Sequence, residues 1–261
     1  MHSWKRVFTA FTLLAALGAT ACQNQAPNAP GGGGGGPTPA PTAAPMDTGS
    51  ITFDEGPAPF ADTSTPEERA STRYSSGNWT VGEGYYSQSE SSPSQTLMIQ
   101  RYTGNALGLA NGFAPARYRA EAAVQVYDQT LVDAADMVGA PTGIWGFIPY
   151  YLDNQHFVLM MATGREAMVW VVDGLRPGDA WDAATYRKWH MYLPQELQVG
   201  DTVTWGAEVN AESNEMVVTF NGDRRTTIRH PMISNSASHS VALVSNGNKV
   251  RYDSVTLTPL P

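Results

Sequence analysis

Two glutamates lie on predicted β-strands, in positions where a pair of carboxylates could do acid–base chemistry. Glu121 belongs to the alternating stretch 118–127, and Glu208 belongs to a second predicted strand, 202–209. Cleavage of a glycosidic bond needs two carboxylates about 5–9.5 Å apart, so these two could act together only if their strands are neighbours. A surface ion pair between Arg119 and Glu121 is the interpretation we favour, because both side chains lie on one face of the same strand.

Other catalytic patterns are absent from the sequence, which contains neither G-x-S-x-G nor H-E-x-x-H. The histidines beyond the N-terminal segment lack the spacing of metal ligands, and we expect them in turns or on the surface: His156, His190, His230 and His239. A structural calcium ion is the one metal that the acids suggest, with oxygens from Asp54, Glu55 and Asp253, provided that the first and last strands pair. The alternative is that Asp54 and Glu55 simply form a turn.

The densest apolar run after the N-terminus, residues 143–174, carries aromatic side chains suited to stacking on a ligand. Turn-forming residues at 152–154 and 164–166 divide it into three pieces rich in Val, Ile, Phe, Tyr and Trp. Each piece is about 6–9 residues long, which is typical of strands. The run therefore predicts three antiparallel strands.

The first of these strands has two faces. Strict alternation puts Trp145, Phe147 and Tyr151 on one of them. The other face carries the expected core residues, Ile144, Ile148, Tyr150 and Leu152. Trp145 and Tyr151 then remain as candidates for a ligand groove, although core packing is the alternative for each aromatic residue and Trp170 could face either way. The sharpest binding hypothesis is a single groove formed by Trp145, Tyr151, His156, Arg119 and Glu121.

The elements around this run are also short strands. Residues 118–127 alternate between apolar and polar positions, which predicts a half-buried antiparallel strand. Further predicted elements are an edge strand at 188–193, a hairpin of 202–209 with 215–220, and a closing hairpin of 241–245 with 249–257. Roughly a dozen such strands, with turn signals every 8–12 residues, predict an all-β sandwich or barrel with no helix beyond one turn at 66–69.

The charge balance limits the partners. The net charge is −8, and it becomes −10 once the two positive charges of residues 1–21, Lys5 and Arg6, are removed. A chain this acidic with no basic stripe is expected to bind no nucleic acid, and it would repel anionic polymers unless calcium intervened. Because Cys22 is the single cysteine, no internal disulfide can form.

The N-terminal segment resembles the signal peptide of a bacterial lipoprotein. Residues 1–17 comprise a short basic start and an apolar stretch too short to span a bilayer, and small residues then precede Cys22. The resemblance implies that Cys22 is lipidated and stably anchored, although Ala19 stands where leucine is usual. An ordinary secretory signal cleaved near Ala21 is the alternative. Gln23, in place of aspartate, implies the outer membrane of a two-membrane envelope.

Residues 22–50 are rich in Gly and Pro and predict a disordered tether. At about 5–6 Å × √n, this tether holds the domain roughly 30 Å from its anchor. The expected organisation is a signal peptide at 1–21, a tether at 22–50 and a β domain at 51–261, which places the domain in the cell envelope just outside a membrane.

A series of five motifs runs through the β domain, at residues 79–84 (WTVGEG), 118–122, 143–160, 220–223 and 241–255. Together they resemble the concanavalin A-like (laminin-G-like, family 16 glucanase-like) jelly-roll domains. The resemblance implies a two-sheet antiparallel sandwich whose concave sheet often holds carbohydrate.

The resemblance also sets the functional expectation. The catalytic strand of family 16 glucanases resembles E-x-D-x-x-E, and no such run occurs in this sequence. We therefore expect a lectin-like, non-catalytic module that binds a polysaccharide or glycan and has no cofactor other than a structural calcium ion. The alternatives are a secreted glycan-degrading hydrolase, acting through Glu121 and Glu208, and a structural or adhesion lipoprotein.

Overall fold

The computed structural model describes residues 49–54, 58–71, 74–89, 97–104, 114–126, 144–234, 238–246 and 249–261. These residues belong to one folded unit, Pro45–Pro261. The signal peptide, Cys22, most of the predicted tether, Glu55 and the side chain of Ile144 lie outside the described residues. No helix among the residues described is long and apolar enough to cross a membrane.

The described residues form fifteen strands: β1 Gly49–Thr52, β2 Phe60–Ala61, β3 Trp79–Gly82, β4 Tyr85–Gln88, β5 Met98–Tyr102, β6 Arg117–Val126, β7 Ile144–Asp153, β8 His156–Ala162, β9 Glu166–Asp173, β10 Thr185–Tyr192, β11 Thr202–Asn210, β12 Glu215–Phe220, β13 Asp223–Arg229, β14 Ser240–Asn246 and β15 Val250–Pro259. Helix α1 spans Pro66–Ala70 and begins with a capping box between Thr65 and Glu68. A short 3-10 helix spans Trp181–Ala183.

Two antiparallel sheets stack as a sandwich. Among the described residues, the first sheet has the strand order β13-β12-β11-β6-β15-β4-β3, with β1 added beside β15, and the second has the order β10-β9-β8-β7-β14-β5-β2. We call them the eight-stranded and the seven-stranded sheet. The predicted fold class is confirmed, and the three strands predicted in the central run are β7, β8 and β9 in succession.

The core lies between the two sheets. Strand β6 shows how the pattern builds it, because Tyr118, Ala120 and Ala122 are buried in this core while Arg119 and Glu121 lie on the outer face of the sheet. Alternation at a period of two therefore holds along β6 as predicted. Large fully buried members of the core are Trp145, Trp205, Tyr118, Phe147, Tyr150, Tyr252 and Phe53.

Strand β7 departs from strict alternation, so the predicted grouping of its faces is wrong. The pairing of β7 with β8 shifts between Phe147 and Tyr150, and Pro149 lies within this irregularity. Proline has no backbone N–H to donate to a ladder and is found inside sheets at bulges. The extra residue reverses the alternation, so that Phe147 and Tyr150 both face the core while Tyr151 faces outward.

The predicted closing hairpin is also wrong. Strand β14 lies between β7 and β5 in the seven-stranded sheet, whereas β15 pairs with β6, β4 and β1 in the other sheet. The chain therefore crosses between the sheets after Asn246 instead of folding back beside β14. The first and last strands do pair, with Ile51 opposite Val255, which was the condition for the calcium hypothesis.

Candidate functional site

The two candidate catalytic carboxylates lie on neighbouring strands of the eight-stranded sheet. Glu208 is opposite Arg119 in the β6–β11 register, while Glu121 is opposite Gly206. Arg119 Nε donates to Glu208 Oε1 at 3.0 Å, and this hydrogen bond, with the negative charge of Glu208, raises the pKa of Arg119. The ion-pair partner of Arg119 is therefore Glu208 and not Glu121, which corrects our prediction.

Glu208 also lines a shallow depression on the outer face of this sheet. The depression has a volume of about 220 Å³, and its polar lining includes Arg117, Asn210, Ser213 and Glu215. Ligand pockets usually enclose about 300–1,000 Å³. The depression is therefore small for an oligosaccharide.

The residues of the predicted single groove do not come together. Arg119 and Glu121 lie on the outer face of the eight-stranded sheet, whereas Trp145 is 1% exposed in the core between the sheets. Tyr151 is buried on the outer side of the seven-stranded sheet. His156 lies at the start of β8 with its Nδ1 2.9 Å from Asp153 Oδ1. The prediction that these five side chains form a single groove is therefore wrong.

Tyr151 belongs to a buried hydrogen-bond network that fixes helix α1. Its hydroxyl lies 2.7 Å from Thr63 Oγ1 and donates to Asn154 Oδ1 at 2.8 Å. Asn154 Nδ2 in turn donates to Glu68 Oε2 at 3.0 Å, and Glu68 closes the capping box with Thr65. Burial raises the pKa of Tyr151 above its ordinary range. This network gives Tyr151 a structural position away from solvent.

The outer face of the seven-stranded sheet is largely apolar, and most of its side chains are buried. Its middle is a second hydrophobic cluster that includes Ile148, Phe157, Leu159, Met161, Met168 and Val244. On β8 the outward residues Phe157, Leu159 and Met161 occupy alternate positions. This strand therefore presents apolar side chains to the outer face.

A different set of side chains lies on this outer face where β9 meets the edge strand β10. Alternate residues of both strands point outward, and the short 3-10 helix packs a tryptophan against them. We call this set the edge platform: Glu166, Trp170, Trp181, Arg187, His190 and Tyr192.

One end of the edge platform consists of two indole rings and a guanidinium group. The rings of Trp170 and Trp181 meet edge to face, with centroids 5.9 Å apart and planes at 65°. Arg187 lies opposite Trp170 in the β9–β10 register, and its guanidinium carbon is 5.8 Å from the Trp170 ring centroid. This geometry is a cation–π contact.

The other end of the edge platform combines a buried acid with an exposed aromatic ring. Glu166 is 5% exposed, and its Oε1 lies 3.3 Å from His190 Nε2. The His190 ring meets Tyr192 at a centroid distance of 4.9 Å and an angle of 73°. Tyr192 is 71% exposed, so its ring is open to solvent beside the acid–imidazole pair.

Several buried polar atoms of the edge platform have no hydrogen-bond partner among the described residues. They are Glu166 Oε2 and the indole nitrogens of Trp170 and Trp181. Buried polar groups are normally hydrogen-bonded, and an unsatisfied one costs about 1–3 kcal/mol. The edge platform therefore contains three unsatisfied polar atoms.

The remaining histidines and acids give no metal centre among the residues that the structure describes, because no three His, Cys, Asp or Glu side chains are grouped to share an ion. Two histidines approach Asp173: His156 Nε2 lies 3.9 Å from Asp173 Oδ1, and His230 Nε2 lies 4.0 Å from Asp173 Oδ2. Partial burial lowers the pKa of His230, while the charge of Asp173 opposes this change. Asp54 follows β1 and Asp253 lies in β15, and the third predicted calcium ligand is outside the described residues.

Sequence reasoning missed most of the edge platform. Glu166 was expected in a turn, and Arg187 fell just before the predicted edge strand at 188–193. His239, expected on the surface, is buried with its ring stacked between Tyr118 and Tyr150. A signal was present in residues 185–192, where polar and aromatic residues are dense, but it does not reveal that β9 lies alongside.

Comparisons with known proteins establish the fold. No protein-family model matches the chain, and no curated protein is similar to it in sequence. Among solved structures, an endo-1,3-β-glucanase from Streptomyces sioyaensis is 16% identical with a TM-score of 0.50, covering 85% of this chain and 99% of its own. The catalytic domain of an endo-1,3-β-glucanase (laminarinase) from Thermotoga petrophila RKU-1 is 11% identical with a TM-score of 0.52, covering 80% and 95%.

A family 16 endo-glucanase from Bacteroides ovatus is also similar, at 12% identity and a TM-score of 0.51, covering 80% of this chain and 98% of its own. The chain therefore has the concanavalin A-like jelly-roll fold, a two-sheet antiparallel sandwich, as its motifs predict. Identities this low establish the fold and leave function to the site.

Proposed function

We propose that this domain is a non-catalytic, lectin-like module that binds a glycan at the edge platform. The observation that carries the proposal is the exposed ring of Tyr192 beside the Glu166–His190 pair, in which Glu166 Oε2 has no hydrogen-bond partner among the described residues. Sugars stack on aromatic faces, while fixed polar groups read their hydroxyls. The edge platform supplies both kinds of contact on one surface.

The similar solved structures support the choice of ligand class. All three are glucanases, and two of them act on 1,3-β-linked glucan by their names. We extend only the ligand class to this chain, because a shared fold does not transfer an activity. A polysaccharide or oligosaccharide is therefore the ligand to test first.

The side chains favour binding over cleavage. The edge platform holds one carboxylate, Glu166, whereas glycoside hydrolysis uses two across the scissile bond. Glu208, one of the two acids weighed for the hydrolase alternative, is engaged by Arg119. The outward positions of β8 are apolar. These features support a module that holds a glycan without cleaving it.

We further propose that the module works outside the cytoplasm, anchored to a bacterial membrane through Cys22. The support is the sequence alone, namely the lipoprotein-like signal and the Gly/Pro-rich tether. Mass spectrometry of the mature N-terminus tests it. A diacyl- or triacyl-cysteine is expected, and an unmodified Cys22 or Gln23 terminus would refute the anchor.

Two exposed tyrosines on the same strand provide a matched test of the binding surface. Tyr192 is 71% exposed and belongs to the edge platform; Tyr186 is 50% exposed and lies opposite Val171, on the side of β10 that faces the sandwich core. We expect Tyr192→Ala to weaken glycan binding about tenfold, which is about 1.4 kcal/mol. Tyr186→Ala should leave affinity unchanged. Equal losses in both variants, or binding of no glycan by the unmodified protein, would refute the proposal.

A further inference from the structure

The guanidinium group of Arg187 makes no ion pair with any acid of the residues that the structure describes. Six other arginines in the described part of the chain each pair with a carboxylate: Arg69, Arg119, Arg165, Arg225, Arg229 and Arg251. The guanidinium carbon of Arg187 instead lies over the ring of Trp170, 5.8 Å from its centroid. Arg187 is exposed and lies on the candidate binding surface, so its charge is available to a ligand there.

The cation–π contact with the indole ring leaves Arg187 able to bind a planar anion. A guanidinium has five N–H donors in a rigid fork that matches a carboxylate in two parallel hydrogen bonds. Contact with an aromatic face uses the flat side of the group and leaves the in-plane donors available. The contact with Trp170 therefore leaves the hydrogen-bond donors of the fork available.

The acid of the edge platform is too distant to neutralise Arg187. Glu166 precedes Trp170 by four residues, and at about 3.3 Å per strand residue the two positions are roughly 13 Å apart along β9. Charges separated by more than about 8 Å are largely screened at physiological ionic strength. Glu166 is also held against His190. The edge platform thus has one cationic end and one end with a buried acid.

The same screening limits repulsion by the whole protein. The net charge of −8 acts on an anionic polymer mostly from beyond a Debye length, whereas a bidentate arginine–carboxylate contact forms within about 3 Å. Local recognition can therefore outweigh the overall acidic balance, without a bridging calcium ion.

We infer that the glycan bound at the edge platform is anionic, with a carboxylate-bearing sugar ring at the Arg187–Trp170 end and hydroxyl groups at the Glu166–His190 end. This inference rests on the proposed glycan-binding function and narrows its ligand to uronic-acid-containing saccharides. Sulfate esters offer similar anionic oxygens, so the experiment must separate the two sources of charge.

The experiment compares polymers that share a backbone and differ in charge. Calorimetric titrations use polygalacturonate, its fully methyl-esterified neutral form, a sulfated galactan and a neutral 1,3-β-glucan. We expect the unmodified protein to bind polygalacturonate at least tenfold more tightly than the methyl ester, since a charged hydrogen bond is worth roughly a factor of 10–100. The preference should weaken as salt is raised.

An adjacent lysine provides a matched variant. Lys188 lies in the irregularity between Arg187 and Trp189, and its ammonium is 5.5 Å from the ring of Tyr186, away from the edge platform. Arg187→Gln and Lys188→Gln remove the same charge from neighbouring positions. We expect Arg187→Gln to abolish the preference for polygalacturonate over its ester and Lys188→Gln to retain it.

The possible failures are distinguishable. Equal or tighter binding of the neutral polymers would overturn this inference and leave the glycan-binding proposal intact. Tighter binding of the sulfated galactan than of polygalacturonate would overturn the assignment of a carboxylate. Equal effects of the two variants would show that only net charge matters and would remove Arg187 from the site. Binding of none of the four polymers would overturn both proposals.

Discussion

Replacing Tyr151 with phenylalanine should destabilise the domain without weakening glycan binding. The substitution removes one buried hydroxyl, which contacts Thr63 Oγ1 at 2.7 Å and donates to Asn154 Oδ1 at 2.8 Å. Thr63 is partly exposed and can bond to water instead. Asn154 is 3% exposed, so its carbonyl oxygen loses a donor that water replaces poorly.

The size of the loss in stability follows from the acceptor, Asn154 Oδ1, that is left without its donor. A buried polar group left without its partner costs about 1–3 kcal/mol, and the phenyl ring keeps the packing of Tyr151, so no cavity term is added. We therefore expect Tyr151→Phe to lower the free energy of unfolding by about 2 kcal/mol. Since Asn154 also binds Glu68 in the capping box, part of this loss should appear as fraying of helix α1.

Urea denaturation followed by tryptophan fluorescence measures the effect, with Tyr192→Phe as the control because its ring is 71% exposed. The midpoint should fall for Tyr151→Phe with little change in slope, and the control should stay within about 0.5 kcal/mol of the unmodified protein. A Tyr151→Phe variant as stable as the control, or one that loses glycan affinity at full stability, would refute this structural role.

Two further predictions concern stability. Burial raises the pKa of five tyrosines, so their neutral forms are favoured in the folded state: Tyr86, Tyr118, Tyr150, Tyr151 and Tyr252. The free energy of unfolding should therefore be constant with respect to these groups below pH ~10, the unfolded-state pKa, and should fall above it by up to about 1.4 kcal/mol per pH unit for each tyrosine. Urea titrations at pH 8 and pH 11 measure this fall. A stability unchanged at pH 11 would contradict their burial. Gly146→Ala should lower the free energy of unfolding, measured by thermal melting, by about 3 kcal/mol or more, because the new Cβ would lie 2.0 Å from the Met160 carbonyl oxygen. Gly174→Ala is the control: its Cβ would have open space around it, so the substitution should cost only the strain of a positive φ, about 1–2 kcal/mol.

Much of the fold follows from local pattern. The alternation on β6, the β11–β12 hairpin and the three strands of the central run are all confirmed by their pairing. Each is defined by residues close in sequence, where a period of two and turn-forming residues carry the information.

The errors arise where the fold depends on distant residues. Pro149 signals an irregularity in β7, but the sequence does not reveal which faces Tyr150 and Tyr151 then take. Similarly, the turn after β14 looks like a hairpin, and only the pairing of β15 with β6 shows that it links two sheets. A shift of one residue exchanges core and surface, and for this reason Trp145 lies in the core although Tyr151, on the same predicted face, points outward.

The site was less predictable than the fold. The sequence predicted aromatic stacking as the binding chemistry, but the edge platform is assembled from the outward residues of two strands and a 3-10 helix. Glu166 and Arg187 acquire their roles from the opposing strand, through His190 and Trp170. Their individual sequence neighbourhoods resemble a turn and a loop.

The most direct test of glycan binding at the edge platform follows the indole N–H signals of the tryptophans by NMR. Nitrogen-15-labelled protein is titrated with a glycan that the protein binds. We predict that the Trp170 and Trp181 signals shift, because their rings lie in the edge platform on the outer face of the seven-stranded sheet, while those of Trp145 and Trp205 in the core between the sheets stay fixed. Shifts confined to Trp79, on the eight-stranded sheet, with Trp170 and Trp181 unchanged, would contradict it.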